Sequence, residues 1–355
     1  MNLVTLRRDA GRPEDPSTAP AAPASDLSEA PLQGRKGIRR RYAWIGTAAS
    51  VALFTASLGV LWHIASDIEP AEITTAFTAA TMRQIGFAVL FTAVSYVLLT
   101  AYDGLALRQL DIRIPYRTTA FASFTSYAVS FTLGFPLLTG GTVRYWVYAP
   151  RGVSTGRIAA LTVIAGLTFW LGMGAVFGWT LIHKADELYR LVWTHEHMNR
   201  TLGIVACAIV LGYLAWVGVK RRSVRIQGWR LELPGFRLSL AQIVLGAGDV
   251  CAAAAVLFVL LPQGHGISYE TFLAVYVFAT MLGIASHSPG GLGVFEATIL
   301  LALSRLPREG VLGALLLFRI CYYLVPFVLA LAMLGGYEIL ARLRATRRDF
   351  EPRED

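Results

Sequence analysis

Residues 287–296 read His287-Ser288-Pro289-Gly290-Gly291-Leu292-Gly293-Val294-Phe295-Glu296, and they interrupt a run of apolar sequence that covers residues 271–303. Proline and glycine at these positions break a helix, and the break leaves backbone N–H and C=O groups without helical partners. Lipid offers such groups no hydrogen bonds, so an interruption of this kind persists in a membrane only where protein or a polar cavity satisfies the backbone. The stretch therefore predicts the working site of a transporter-like membrane protein.

The composition agrees with a membrane protein. Of the 355 residues, 55% are hydrophobic and 15% are charged, and the mean hydropathy is +0.53. This chain is too apolar for a soluble globule and too poor in charge for a disordered protein. Several stretches reach the roughly 20 apolar residues that a spanning helix needs. The predicted full spans are 42–65, 84–107, 157–182, 201–219, 238–261 and 311–340.

The distribution of Lys and Arg predicts the orientation. Basic clusters precede the first span and follow the last, and the positive-inside rule places such clusters in the cytoplasm. The same rule assigns the arginines around 108–117, 144–157 and 220–237 to cytoplasmic loops, and it places the connections 183–200, 262–270 and 305–309 outside. We therefore expect a multi-pass membrane protein with both termini in the cytoplasm.

Three regions follow from this topology. Residues 1–34 are rich in Pro, Ala and Ser without large apolar periodicity, which predicts a disordered cytoplasmic tail. Residues 35–341 should form the membrane domain, and residues 342–355 should form a basic cytoplasmic tail.

Two apolar segments, 120–148 and 271–303, must enter and leave the membrane on the same side for this topology to hold. Each carries a break where it would turn, at 134–141 and at 288–293. The expected fold is an all-α polytopic membrane protein with about six full spans and two re-entrant helical hairpins. Residues 84–182 and 238–340 repeat the order of span, hairpin and span in opposite directions, which predicts an inverted repeat with a transport site at its interface.

Arg319 lies well inside the last predicted span, where a charge is expensive and normally faces protein or a wet cavity. One hypothesis is a contact with lipid phosphate, because a planar guanidinium can bind two phosphate oxygens at once. The other is a structural ion pair with Glu296 or Asp249.

The three acids of the apolar segments differ in position. Asp249 lies in the middle of a span, where a carboxylate favours a functional role. Asp103 lies near a cytoplasmic end, where an interfacial pair with Arg108 or Arg144 is an equal alternative. Glu296 begins a half-helix, where a carboxylate can bind a ligand or complement the helix dipole.

The glycines of the two breaks have two compatible roles. Gly140, Gly141, Gly290 and Gly291 can turn the chain at positive φ, and they can let backbone N–H groups approach an anion at the N-terminus of a half-helix. A separate small-residue pattern, at 174 and 178, is the spacing of close helix packing.

The sequence lacks the motifs of several common classes of soluble enzyme. The sequence has no Walker A, G-x-S-x-G, H-E-x-x-H or dinucleotide-binding motif. We therefore expect neither a cofactor nor a metal and no enzymatic activity. Because the basic residues lie at the ends of apolar segments, anionic lipid is a better partner than nucleic acid.

Five stretches, taken together and in order, resemble the membrane flippase region of the lysylphosphatidylglycerol synthase/flippase family, the bacterial multiple peptide resistance factor proteins. They are 102–107 (YDGLAL), 138–145 (LTGGTVRY), 167–172 (LTFWLG), 288–296 (SPGGLGVFE) and 319–326 (RICYYLVP), and they span most of 84–337. The resemblance implies translocation of an aminoacylated phospholipid such as lysylphosphatidylglycerol to the outer leaflet, which reduces the attraction of the surface for cationic peptides.

One departure from the family pattern concerns the end of the chain. Full-length members continue into a cytoplasmic acetyltransferase-like domain that transfers the aminoacyl group from tRNA to lipid, whereas this sequence stops at Asp355. Synthase activity is therefore not expected. A separate lipid aminoacyl synthase and a second copy of this chain are candidate partners.

The predicted site is a groove between the two hairpins. In it, Arg319 and Arg144 contact lipid phosphate, and Asp249, Glu296 and Asp103 receive a cationic headgroup. The remaining predicted substrate-binding residues are Pro289, Gly290, Gly291, Gly140, Gly141, Tyr322 and Tyr323. The competing hypothesis is an accessory subunit that holds lipid for an envelope lipid- or glycolipid-modifying enzyme. Intramembrane chemistry by an acid ranks third, because no activated nucleophile or metal cluster accompanies it.

Overall fold

The computed structural model describes residues 80–349, apart from 135, 193–194, 220–222, 227–228, 233, 265 and 287–288. The predicted first span at 42–65 and the predicted N-terminal tail lie outside the described residues. Within the described part the chain forms helices and one short β-ribbon. The helices are α1 Met82–Gln109, α2 Tyr116–Leu133, α3 Pro136–Tyr148, α4 Thr155–His183, α5 Ala185–Val192, α6 Glu196–Val219, α7 Phe236–Leu260, α8 Tyr269–Ala285, α9 Val294–Ala302, α10 Arg308–Phe318 and α11 Val325–Asp349.

Irregular elements join some of these helices. The ribbon consists of β1 (Ser223–Ile226) and β2 (Trp229–Glu232), which pair in antiparallel fashion between α6 and α7. Single 3-10 turns cover Ala149–Arg151 and Pro289–Gly291. A π-helical segment, Arg319–Leu324, connects α10 to α11 without a break.

Among the described residues, five stretches of helix are long and apolar enough to cross a membrane. They are α1, α4, α6, α7 and the continuous helix from Arg308 to Leu340. These match the five predicted spans that fall on described residues, so the prediction of an all-α polytopic membrane protein is confirmed. Helix α6 is an example of a helix with an apolar outer face. Its Ile204, Val205 and Ile209 side chains are at least half exposed, so apolar surface is available for contact with lipid.

The first predicted hairpin is formed by α2 and α3, which pack against each other. The chain turns at Gly134, where φ is 78°, and α3 begins at Pro136. The expectation that Gly140 and Gly141 turn the chain is wrong, because proline suits the first position of a helix and the helix restarts before them. Gly140 instead permits close packing, since a Cβ there would lie 2.7 Å from the Ser130 hydroxyl of α2.

The second hairpin is formed by α8 and α9, with the Pro289–Gly291 turn between them. Gly290, Gly291 and Gly293 take φ values of 59°, 68° and 83°, which L side chains rarely adopt. Gly290 and Gly291 therefore turn the chain at positive φ, as predicted.

Glycine also sets the distances between spanning helices. A Cβ on Gly178 of α4 would lie 2.6 Å from the Cys207 sulfur of α6, and one on Gly174 would lie 3.3 Å from Val210. The close packing predicted from the small-residue spacing is thus confirmed. Helices α4 and α7 approach even more closely, because a Cβ on Gly172 would overlap the backbone of Gly246.

Gly172→Ala is expected to lower the free energy of unfolding by about 1–3 kcal/mol, because the added methyl group forces the α4 and α7 backbones apart. Gly166→Ala is the matched control, since Gly166 lies on the same helix and a Cβ there meets nothing within 4 Å. Thermal unfolding of the two purified variants in detergent measures the difference. Equal melting temperatures would contradict the backbone contact.

Polar contacts join two connections at one end of the bundle. Glu187 of α5 accepts hydrogen bonds from Thr271 and from Ser268 (3.0 Å), while Lys184 lies 2.9 Å from Glu187 and 3.4 Å from Glu270. The Thr271 hydroxyl, and then the Lys184 ammonium, lower the pKa of the Glu187 carboxyl to about 2. The connections 183–200 and 262–270 therefore lie at the same end, as the predicted topology requires.

Candidate functional site

The two hairpin breaks lie side by side. A Cβ on Gly290 would lie 3.1 Å from the carbonyl oxygen of Phe131 at the end of α2, while one on Gly291 would lie 3.3 Å from the Cα of Gly283 on α8. Pro289 begins the turn that carries both glycines. Any side chain at Gly290 would therefore push the second hairpin away from the first.

A buried ion pair joins α1 to the first hairpin. Arg144 donates from Nε to Oδ2 of Asp103 at 2.9 Å and from Nη2 to Oδ1 at 2.7 Å. The Tyr148 hydroxyl lies 3.4 Å from Oδ2, and the Arg144 guanidinium lies 4.8 Å from the centre of the Tyr127 ring. Asp103 is 0% exposed and Arg144 is 2% exposed. Each charge is therefore neutralised by the other within the protein.

This pair changes two expectations. Arg144 lies in α3 and not in a cytoplasmic loop, because the helix that begins at Pro136 continues through it. Of the alternatives for Asp103, the structure shows pairing with Arg144 rather than Arg108, and the pair is buried rather than interfacial. Neither group has an open surface for a phosphate or a headgroup in this conformation.

A second ion pair holds the break of the second hairpin. Arg319 donates from Nε to Oε1 of Glu296 at 2.7 Å and from Nη1 to the Gly290 carbonyl at 2.7 Å. Oε2 of Glu296 accepts the Gly293 N–H at 2.8 Å, so the same carboxylate also caps α9. The side chains are 15% and 22% exposed, which sets this pair apart from the first.

One amino group of Arg319, Nη2, is buried and contacts Glu296 without forming a hydrogen bond. Nη2 lies 2.5 Å from Oε1 of Glu296, yet it makes no hydrogen bond to any described residue. Of the two partners that the sequence left open for a structural pair, Glu296 is the one found and Asp249 is not.

The π-helical segment shapes this part of the site. A π-turn inserts an extra residue into a helix, and such turns are frequent at functional sites. The segment carries Arg319, Tyr322 and Tyr323, and the Tyr323 ring centre lies 4.5 Å from the Arg319 guanidinium. The Phe295 ring lies 5.6 Å from the same guanidinium. The cation is thus held by aromatic rings as well as by its carboxylate.

Asp249 occupies a third position and has different partners. The Ser95 hydroxyl donates to Oδ1 at 2.5 Å, and the Tyr102 hydroxyl donates to Oδ2 at 3.0 Å. Ser95 also shares a hydrogen bond of 2.8 Å with the Tyr322 hydroxyl, while Tyr96 donates to the Tyr322 carbonyl. Asp249 is 2% exposed, and among the described residues no basic group lies within ion-pair distance of it.

Ser95 and Tyr102 are site residues that the sequence patterns did not indicate. They are seven residues apart on α1, so they share one helix face, and that face meets Asp249. The neighbouring Asp103 contacts Arg144 instead. Adjacent residues of α1 therefore belong to two different polar clusters, the Asp103–Arg144 ion pair and the hydroxyl groups around Asp249. Hydroxyl groups inside an otherwise apolar span were the available signal, because such groups usually form interhelical hydrogen bonds.

Comparison with known proteins gives a family match over most of the chain. Residues 45–330 match the family described as the lysylphosphatidylglycerol synthase TM region. The chain is 33% identical over 302 residues to an uncharacterized protein of Synechocystis, slr0712, which covers 85% of this chain and 94% of that protein. It is 30% identical over 251 residues to the inner membrane protein YbhN of Escherichia coli, covering 69% of this chain and 77% of YbhN.

A further similarity is to longer proteins. Phosphatidylglycerol lysyltransferase of Staphylococcus aureus is 24% identical over 296 residues, which cover 81% of this chain. Those residues make up 33% of the lysyltransferase, so the chain spans about one third of that relative.

Proposed function

Because the chain belongs to the lysylphosphatidylglycerol synthase transmembrane-region family, we propose that it is a lipid flippase that moves an aminoacylated phospholipid between the leaflets of the bacterial inner membrane. No bond of the lipid is made or broken in this reaction. The lipid would be similar to lysylphosphatidylglycerol, whose headgroup carries a phosphate and ammonium groups.

The partly exposed Arg319–Glu296 pair at the broken hairpin is the observation that carries this proposal. It presents a cation and an anion side by side, which complements a headgroup that carries both charges. The planar guanidinium of Arg319 can bind two phosphate oxygens at once when it exchanges its contact with Glu296 for the lipid. Glu296 can then receive the ammonium group that the lipid brings.

The buried Asp103–Arg144 pair has a different part in this proposal. Both groups are saturated by each other, so we now assign them to holding the first hairpin against α1. The acyl chains remain in the surrounding lipid while the headgroup passes between the hairpins. Alternating access would then move residues 84–182 against residues 238–340, as the predicted inverted repeat requires.

Reconstitution tests the proposal directly. The purified full chain is placed in liposomes that contain fluorescent lysylphosphatidylglycerol, and an impermeant quencher reports the leaflet of the label. We expect exchange between leaflets to be faster than in protein-free liposomes and faster than for fluorescent phosphatidylglycerol without lysine. Exchange no faster than in empty liposomes, with lipid still bound, would refute the flippase and support the accessory lipid-holding subunit.

A further inference from the structure

We infer that Asp249 is a proton-binding site that couples lipid movement to the proton gradient across the membrane. The coupling rests on the proposed transport function, while the proton site itself rests only on the surroundings of Asp249. The chemistry is simple, because one O–H bond forms on a carboxylate oxygen and no bond of the protein breaks.

The three buried or partly buried acids differ in the atoms that surround them. Both oxygens of Asp103 accept hydrogen bonds from a guanidinium, which cannot give up its proton. Glu296 accepts from Arg319 and from the backbone N–H of Gly293, and both are permanent donors. Protonation of either acid would place the new carboxyl hydrogen next to the hydrogen of such a donor, and the two would repel each other. Asp249 alone among these three accepts only from hydroxyl groups.

Hydroxyl partners allow both protonation states. With Asp249 ionised, Ser95 and Tyr102 donate to its two oxygens. With Asp249 protonated, its new O–H can donate to the Ser95 oxygen, and the Ser95 hydroxyl can turn its hydrogen toward Tyr322. The 2.8 Å contact between Ser95 and Tyr322 accommodates this reversal, since either oxygen can be the donor. Asp249 and Ser95 therefore keep hydrogen-bond partners in both states, while the Tyr322 hydrogen is donated to Ser95 only when Asp249 is ionised.

The other titratable groups near Asp249 are neutral in their ordinary state. The elements around it contribute tyrosines and one cysteine. These are Tyr96 and Tyr102 from α1, Tyr127 from α2, Tyr276 from α8, Tyr322 from the π-helical segment and Cys251 from α7 itself. The cations of the neighbouring segments, Arg144 and Arg319, are engaged by Asp103 and Glu296. An ionised Asp249 is therefore an uncompensated buried charge, which a proton relieves.

The same hydrogen bonds connect the proton to the lipid site. Tyr322 shares its hydroxyl with Ser95 and lies three residues after Arg319 in the π-helical segment. Its ring stacks on Phe318 and Phe131, with centres 5.4 Å and 6.0 Å away. Binding or release of the proton thus reverses a hydrogen bond on the segment that carries Arg319.

Infrared difference spectroscopy tests the proton site without any transport. Spectra of the full chain in lipid nanodiscs are compared between acid and alkaline buffer. We expect a carbonyl band of a buried protonated carboxyl that grows in acid, persists in Asp186→Asn and is lost in Asp249→Asn. Asp186 is a matched control because it is exposed on α5. A band that survives in Asp249→Asn, or no band in the wild type, would overturn the assignment. Should Asp249→Asn fail to fold, Asp249→Glu must retain a titrating band.

A transport measurement tests the coupling. Liposomes receive a pH gradient of one unit while valinomycin and potassium hold the membrane potential at zero. For one proton per lipid we expect the steady-state leaflet ratio of labelled lysylphosphatidylglycerol to shift by up to about tenfold, and no shift for Asp249→Asn. Lipid exchange whose steady-state leaflet ratio does not depend on the pH gradient would overturn the coupling but not the proposed flippase activity. A titrating band without any lipid exchange refutes the transport function and leaves the proton site standing.

Discussion

Arg144→Ala is expected to lower the free energy of unfolding by about 3–5 kcal/mol, the usual cost of leaving one member of a buried ion pair without its partner. Asp103, which is 0% exposed in the intact protein, would lose the guanidinium that neutralises it. The loss should appear as a lower melting temperature of the purified protein and a lower yield from the membrane.

Two controls separate this effect from a general sensitivity to arginine loss. Arg108→Ala removes an exposed arginine of α1 and should change the stability little. The double variant Asp103→Asn/Arg144→Gln removes both charges and should regain most of the lost stability. A double variant that is as unstable as Arg144→Ala would show that the charge of Asp103 is not the cause.

Arg319→Lys is expected to reach the membrane normally and to slow lipid translocation about 10- to 100-fold, since a lost hydrogen bond to a charged group is worth about 1.5–3 kcal/mol. Lysine keeps the positive charge but lacks the planar group that binds Glu296 and the Gly290 carbonyl together and that we propose to bind the lipid phosphate. Leaflet exchange in liposomes, with equal amounts of each protein, measures the change.

The control for this substitution is Arg237→Lys, an exposed arginine in the first turn of α7. A purely structural Arg319 predicts the opposite pattern. In that case Arg319→Lys keeps its activity, Arg319→Ala loses yield, and Arg319→Ala/Glu296→Ala regains it. Full transport by a well-expressed Arg319→Ala variant would contradict both roles.

The spans and the second break could be predicted accurately because they depend on local sequence. A helix in lipid satisfies its backbone within itself, so apolar length alone predicts it. The Gly290–Gly291 turn follows from residues that adopt positive φ readily. The first break lies within the predicted stretch 134–141, but Gly140 and Gly141 are helical and not part of the turn, because two signals compete there. Gly134 with Pro136 ends one helix and starts the next, and the pair at Gly140 and Gly141 only resembles a turn.

The sequence offered two candidate partners each for Asp103 and Arg319 without deciding between them, and it did not indicate the partners of Asp249, because these partners lie on other helices. Asp249 meets hydroxyl groups of Ser95 and Tyr102, which precede it by 154 and 147 residues. Many acids and bases in the apolar segments have plausible partners by type and spacing. Only the crossing angles and depths of the helices select among them, and no short stretch of sequence contains that information.

The amino-acid sequence by itself determined the membrane class, the positions of the spans and the presence of two broken segments, since each follows from the demand of lipid that the backbone satisfy its own hydrogen bonds. The tertiary structure decided the roles of the charges. It seals Arg144 onto Asp103, leaves Arg319 and Glu296 partly open at the break, and surrounds Asp249 with hydroxyl groups. The physical reason is that a charge in a low-dielectric interior takes its properties from the few atoms in contact with it.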